Sequence, residues 1–343
     1  MRFVWILLIA LPLCAAQRGL WVVRHLLEEP HKIEPLITYA RENHITDIFI
    51  QVRALGHVYY KTPFRQPVKN DNQSLRHLLT LAHRSDIKVH AWINAFYVAK
   101  MKAGGQQDNH IYKTAHNAII QRDGQIESGT FIYPGNEENL RQILQIIYDM
   151  DQMGMDGIHL DYFRYPKSLV PLSVESRTGF MKRYGTDPAR LLRLREGDEL
   201  NAYERIIKDT YRQFLKEALT QTLREIRNRI RRDLKNKMSL SIAVKPRPEL
   251  AEIRYLQPWR QWLKENLCDF VAAMNYYPKN ADFRETVKQL TKTGLASKIM
   301  IGVGVYNIPG DKVKNRIRLV EDSNFAGYVL FSYNYLEKHK IRI

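Results

Sequence analysis

Gly157-Ile-His-Leu-Asp-Tyr-Phe-Arg-Tyr-Pro166 is the stretch that decides the fold. As a strand, its two-residue period puts His159 and Asp161 on one face and Ile158 and Leu160 on the other. An acid ends the run, and an aromatic, arginine-bearing segment closed by proline follows. An apolar back with a polar tip is what a parallel barrel strand presents at its carboxyl mouth. The same layout recurs in both directions along the chain. Strand-like runs are read at 20–24, 47–53, 88–95, 157–163, 239–245, 270–276, 299–306 and 327–334. Segments with helical spacing separate them, at 33–43, 74–85, 136–153, 257–266, 283–293 and 313–322. Strand and helix alternating eight times predict an α/β fold, the (β/α)₈ TIM barrel. A doubly wound open sheet would carry a glycine-rich turn after its first strand. Here that place holds Arg24-His-Leu-Leu-Glu-Glu-Pro30. The connections after the third and fourth strands are long. A helical insertion follows strand four, an excursion of about residues 167–198 with helices at 176–184 and 188–195, and a long helix at 199–234 leads into strand five.

Polar residues at the strand ends are the site candidates, because a barrel interior is otherwise apolar packing. Period two groups Gln51 with Arg53, His90 with Trp92 and Asn94, and His159 with Asp161, all facing inward. Asp161 is the catalytic candidate, since a carboxylate at a barrel mouth is costly unless it is used or paired. An ion pair with Arg164 or Arg53 is its structural reading. Arg53 suits an anionic substrate group or holds Asp161 ionised, Asn94 suits sugar hydroxyls, Arg164 beside Asp161 is a further substrate-binding candidate, and His90 and His159 face the same interior. Lys245 and Asn275 end strands five and six. Trp92, Tyr276, Tyr306 and Tyr333 supply rings on which the C–H faces of sugars stack. No paired-cysteine or His-Glu-x-x-His pattern occurs, so neither a metal nor a cofactor is expected.

The chain's start reads as a signal peptide over residues 1–16: a basic Met1-Arg2, an apolar run from Phe3 to Leu13, and small residues before Gln17. The apolar run is too short for a spanning helix, which needs roughly 20 residues. The expectation is an exported protein, periplasmic or extracellular, with the barrel over 17–343 and no transmembrane segment after signal removal. A lipoprotein attached through Cys14 is the second reading. Signal removal leaves Cys268 as the one cysteine, without a disulfide partner. The formal charge is +17. A basic surface attracts anions, and for an exported chain the anionic cell envelope is a better partner than nucleic acid. The densest basic run, Arg224-Glu-Ile-Arg-Asn-Arg-Ile-Arg-Arg232, reads as the solvated face of a helix.

Taken together, Arg18-Gly-Leu-Trp21, Ile50-Gln-Val-Arg53, His90-Ala-Trp-Ile-Asn94, residues 156–166, Asp269-Phe-Val-Ala-Ala-Met-Asn-Tyr276 and Leu330-Phe-Ser-Tyr333 resemble the family 10 glycosyl hydrolase-like proteins. The pieces occur in family order and span nearly the whole chain after the signal segment. The resemblance implies a (β/α)₈ barrel that hydrolyses glycosidic bonds, with some relatives acting on peptidoglycan glycan strands. The implied substrate is a polysaccharide with N-acetylated sugars. A non-catalytic glycan-binding barrel is the second reading. Glycosidases use two carboxylates. Asp161 takes one place, and Glu249, in the loop after strand five, is the candidate for the other. Met274-Asn-Tyr276 is also similar to chitinase-type barrels, in which the substrate's acetamido group acts as nucleophile. Such barrels carry an acid two residues beyond an aspartate, where this chain has Phe163.

Overall fold

The computed structural model describes residues 16–63, 71–98, 119–122, 125–128, 131–166, 170–193, 199–234 and 237–343. The expected signal segment up to residue 15, with Cys14, lies outside the described residues, as do 167–169 and 194–198 of the expected excursion.

Eight parallel strands form the barrel: β1 (Gln17–Val22), β2 (Asp47–Ala54), β3 (Lys88–Asn94), β4 (Gly157–Asp161), β5 (Ser239–Val244), β6 (Phe270–Asn275), β7 (Ile299–Gly304) and β8 (Gly327–Phe331). Each pairs with the next, and β8 returns to β1 with Gln17 opposite Gly327, so no edge is left open. Ten α-helices are described: α1 (Ile33–Glu42), α2 (Gln73–His83), α3 (Glu137–Met153), α4 (Val174–Tyr184), α5 (Ala202–Asp233), α6 (Pro248–Tyr255), α7 (Trp259–Lys264), α8 (Asn280–Thr291), α9 (Gly310–Glu321) and α10 (Tyr333–Lys338).

The helices form for legible reasons. In α1, Ile33, Leu36, Ile37 and Ala40 recur at helical spacing and are all buried against the barrel. Each large apolar side chain buried this way contributes roughly 1.5–3 kcal/mol. The 32-residue α5 starts with a capping box: the Asn201 side chain accepts from the Glu204 N–H, and Glu204 reaches back to the Asn201 N–H. Its basic run is largely spent on ion pairs, Arg224 with Glu265, Arg227 with Asp269, and Arg229 with Glu225 and Asp233.

Two cores result. The outer one joins the strand backs to the helices. The inner one fills the barrel with Trp21, Phe49, Trp92, Phe270, Met300, Val329 and two alanines. Strand glycines make room for it: a Cβ on Gly157 would collide with the His90 ring, and one on Gly302 would press on Trp21.

Three features depart from the sequence expectation. The helix expected at 257–266 is the shorter α7, and a further helix, α6, occupies the stretch before it that was expected to be loop; Leu256 in left-handed geometry (φ 51°) and Pro258 separate the two. Short antiparallel strands Ile119–Arg122, Gln125–Ser128 and Val170–Pro171 join the two long connections. Seven of the barrel strands end one to three residues earlier than expected, where the chain leaves the ladder for the loops at the mouth, and β2 ends one residue later.

Candidate active site

Those loops enclose a cleft of about 630 Å³ at the carboxyl ends of the strands. The barrel interior below it is filled by the inner core, which gives the cleft its floor. Asp161 lies on the floor, with 7% of its surface exposed. Its Oδ2 accepts from Trp92 Nε1 at 3.2 Å, and its Oδ1 accepts from the Tyr162 N–H at 2.6 Å. Tyr162 makes this turn by adopting left-handed geometry (φ 51°), a strained conformation for an aromatic residue. Burial raises the Asp161 pKa above the usual carboxylate range, against the opposing pull of Arg164, the two hydrogen bonds and Lys245. A carboxyl with a raised pKa, facing a cleft, is equipped to hold and give up a proton.

Rings frame the acid. Tyr97 and Tyr162 stack at 4.8 Å, and Tyr276 and Phe331 stack at 5.5 Å, forming two flat walls. Trp21 adds its edge to Tyr276 and Phe331. Burial, and then the Asp161 charge, hold the Tyr276 phenol well above its ordinary pKa, so it remains a neutral donor.

Cations occupy the opposite side. Arg164 lies over the rings of Tyr162 and Tyr255, and the Lys245 ammonium also lies over the Tyr255 ring, at 5.0 Å. Burial, with Arg164 close by, pushes the Lys245 pKa down to about 8 despite the pull of Asp161. Arg247 lies over Tyr277 at 5.0 Å. Arg24 is held by Tyr59 and by Gln51, whose amide also reaches Asn94 at 3.4 Å. Gln257, fully buried, ties this side together. Its amide donates to the carbonyls of Phe163 and Ala243, and its oxygen accepts the Lys245 N–H.

Of the residues singled out in the sequence, Asp161, Trp92, Asn94, Arg164, Lys245 and Tyr276 line the cleft. Tyr306 stands at its rim, 45% exposed, with its edge against Tyr276. The others need correction. Arg53 does not face inward, because a β-bulge between Gln51 and Arg53 breaks the alternation of β2. Its guanidinium is fully buried, donating to the carbonyls of Asn94 and Ala95 and to Asn139 of α3. His90 faces inward, but at the closed lower end, where it pairs with Asp47 at 2.8 Å. His159 lies below the floor: Trp21 Nε1 donates to its Nε2, so its Nδ1 carries the proton toward Ser241. Burial pushes its pKa down to about 3, and it stays neutral while holding Trp21 in place. Asn275 is buried and donates to the Phe283 carbonyl. Tyr333 packs against Tyr39 in the helix layer. Glu249 sits on the outward side of α6 in an ion pair with Arg260, apart from the cleft. No second carboxylate lines the cleft among the described residues, and no described cluster of His, Cys, Asp or Glu is suited to a metal.

Gln51, grouped with the inward-facing polar set, lines the cleft, as do Trp21, Tyr97, Arg24, Arg247 and Tyr255, which the sequence reading did not place in the site. Trp21 and Gln51 carried a signal, since both end inward-facing strand positions. The others sit on loops and on α6, where no periodicity points to a direction.

Solved structures share the fold at low identity. The catalytic domain of β-amylase from Paenibacillus polymyxa aligns with a TM-score of 0.60 at 12% identity, covering 94% of each chain. A β-galactosidase from Marinomonas ef1 gives 0.60 at 9% identity, over 92% of this chain and 54% of that one. A GH18 chitinase from Cycas revoluta, solved in complex with (GlcNAc)4, gives 0.52 at 10% identity over 93% and 95%. A search of curated proteins finds no match. The family model described as glycosyl hydrolase-like 10 matches residues 16–321, which carry seven of the eight barrel strands and every lining residue of the cleft except Phe331, and the chain therefore belongs to that family.

Proposed function

We propose that this protein is an exported glycoside hydrolase that cleaves glycosidic bonds of a cell-wall polysaccharide, with peptidoglycan glycan strands as the favoured substrate. The observation that carries the reading is Asp161: a desolvated carboxyl, fixed by two hydrogen bonds, at the floor of an aromatic-walled cleft. In this reading its proton goes to the leaving glycosidic oxygen, and the carboxylate then takes a proton from the incoming water. The stacked tyrosines receive the apolar faces of the sugar rings. With one carboxylate among the described lining residues, the substrate's own acetamido oxygen is the nucleophile that fits best, which favours N-acetylated sugars. Family membership and the glycosidase fold support the reaction class. The chain's basic, apolar and small-residue start supports export.

Purified protein incubated with denuded glycan strands should release reducing ends, and Asp161→Asn should lower the rate by about 10²–10⁴-fold. Turnover that survives Asp161→Asn would sink this assignment. The same lack of a second described carboxylate favours one other reading, a barrel that binds glycan without cleaving it. That reading requires wild-type binding with no release of reducing ends. Export is checked by fractionation: mature protein beginning at or near Gln17 should be found outside the cytoplasm.

A further inference from the structure

The charge in the cleft is lopsided. Arg24, Arg164, Lys245, Arg247 and Arg254 line it, against Asp161 as the carboxylate among the described lining residues. On the outer face of α5, by contrast, Arg224, Arg227 and Arg229 are ion-paired. In the cleft they do not: among the described residues Arg164, Lys245 and Arg247 have no carboxylate within ion-pair distance. The acids of the neighbouring helix α6 are turned away, Glu249 to Arg260 and Glu252 to Lys216, so α6 offers the cleft Arg254 and Tyr255. Arg164 and Arg247 also each keep a buried Nε–H with no acceptor. A buried donor left without an acceptor is costly, and two like charges over one ring repel. Arg164 and Lys245 nonetheless share the Tyr255 ring. A neutral glycan could accept hydrogen bonds here but would leave the positive charge uncompensated.

We infer that the cleft takes an acidic glycan, and that a carboxylate carried on a sugar is bound by Arg164, Lys245 and Arg247 beside the bond next to Asp161. The inference deepens the glycosidase reading and rests on it only for the ligand's being a glycan. Two guanidinium groups and an ammonium match a carboxylate in charge and in donor geometry. The rings beneath them hold the cations in place, which reduces the ordering needed on binding.

The test measures binding to Asp161→Asn protein, so that turnover does not interfere. The ligands are denuded strands alternating N-acetylglucosamine and N-acetylmuramic acid, the same strands methyl-esterified, an N-acetylglucosamine–glucuronate oligosaccharide, and the neutral (GlcNAc)4. The acid form should bind about 10- to 100-fold more tightly than its ester. Arg247→Gln and Lys245→Met, each checked for a native melting profile, should narrow that gap. Preference for the muramyl strand locates the carboxylate on an ether side chain, and preference for the glucuronate locates it on the ring. Equal affinity for acid and ester, or no binding of either acidic ligand, overturns the inference. Cleavage of (GlcNAc)4 as fast as of acidic strands overturns it while leaving the glycosidase reading intact. Acid-selective binding without turnover by the wild type does the reverse.

Discussion

Asp161 combines two demands that conflict in water, a buried position and an ionisable group. Its raised pKa has a consequence for stability. A carboxyl whose folded pKa lies above the unfolded value binds more protons when folded, so stability falls as pH rises through that window. Asp161→Asn removes the titration. Its melting temperature, measured relative to wild type, should therefore climb as pH is raised from acid to neutral; a difference that stays flat or shrinks contradicts the raised pKa. Arg53 makes a complementary case. It is fully buried, gives donors to two carbonyls and Asn139, and holds β2, β3 and α3 together rather than touching ligand. Arg53→Leu should destabilise the fold by about 3 kcal/mol, read in a denaturant titration. A loss of glycan binding with unchanged stability would restore Arg53 to the site.

Two elements position the chemistry without forming part of it. The Tyr162 turn ends β4 just after Asp161 and aims the carboxyl at the cleft. The loop after β5 depends on Gln257, which bonds the ends of β4 and β5 from below and so sets Lys245 opposite Asp161. Gln257→Leu leaves two carbonyls and one N–H buried without partners. It should cost about 2–4 kcal/mol and speed hydrogen exchange at the Lys245 amide. An amide that stays as protected as in wild type would show that the loop is held by something else. The element scale also explains why the strand pattern misled at one point. Period two holds only while the ladder is regular, and the bulge in β2 reverses every inference drawn past Gln51.

The whole molecule closes on itself through the β1–β8 pairing and needs no cross-link. Cys268 is buried among the apolar residues between barrel and helices, and burial pushes its thiol up to about 12. In Cys14→Ser protein, Cys268 should therefore resist thiol reagents when folded and react on unfolding, as followed with a chromogenic disulfide. Prompt reaction of the native protein would contradict the closed packing around β6. No described helix is long and apolar enough to cross a membrane. The molecule's net charge is not spread evenly: along α5 it is paired off, and at the barrel mouth it is left open to a ligand.

The sequence by itself determined the architecture. Eight apolar runs at alternating spacing leave little other than a closed parallel sheet wrapped in helices, because burial on both faces is written into Val, Ile, Leu and Ala. It also determined Asp161, Trp92, Asn94, Arg164, Lys245 and Tyr276, which lie where a regular strand, or the first residues beyond it, meets the mouth. Only the tertiary structure decided direction and partners. His90 and His159 share the inward face with Asp161 at deeper positions along their strands, and the groups each bonds there, Asp47 and Trp21, come from strands distant in sequence. Arg53 was turned outward by a single extra residue, and Glu249 by the phase of a helix too short to show a clear face. The acid at 161, first read as a lone carboxylate awaiting a carboxylate partner, faces a wall of cations instead, because loops distant in sequence fold over one mouth.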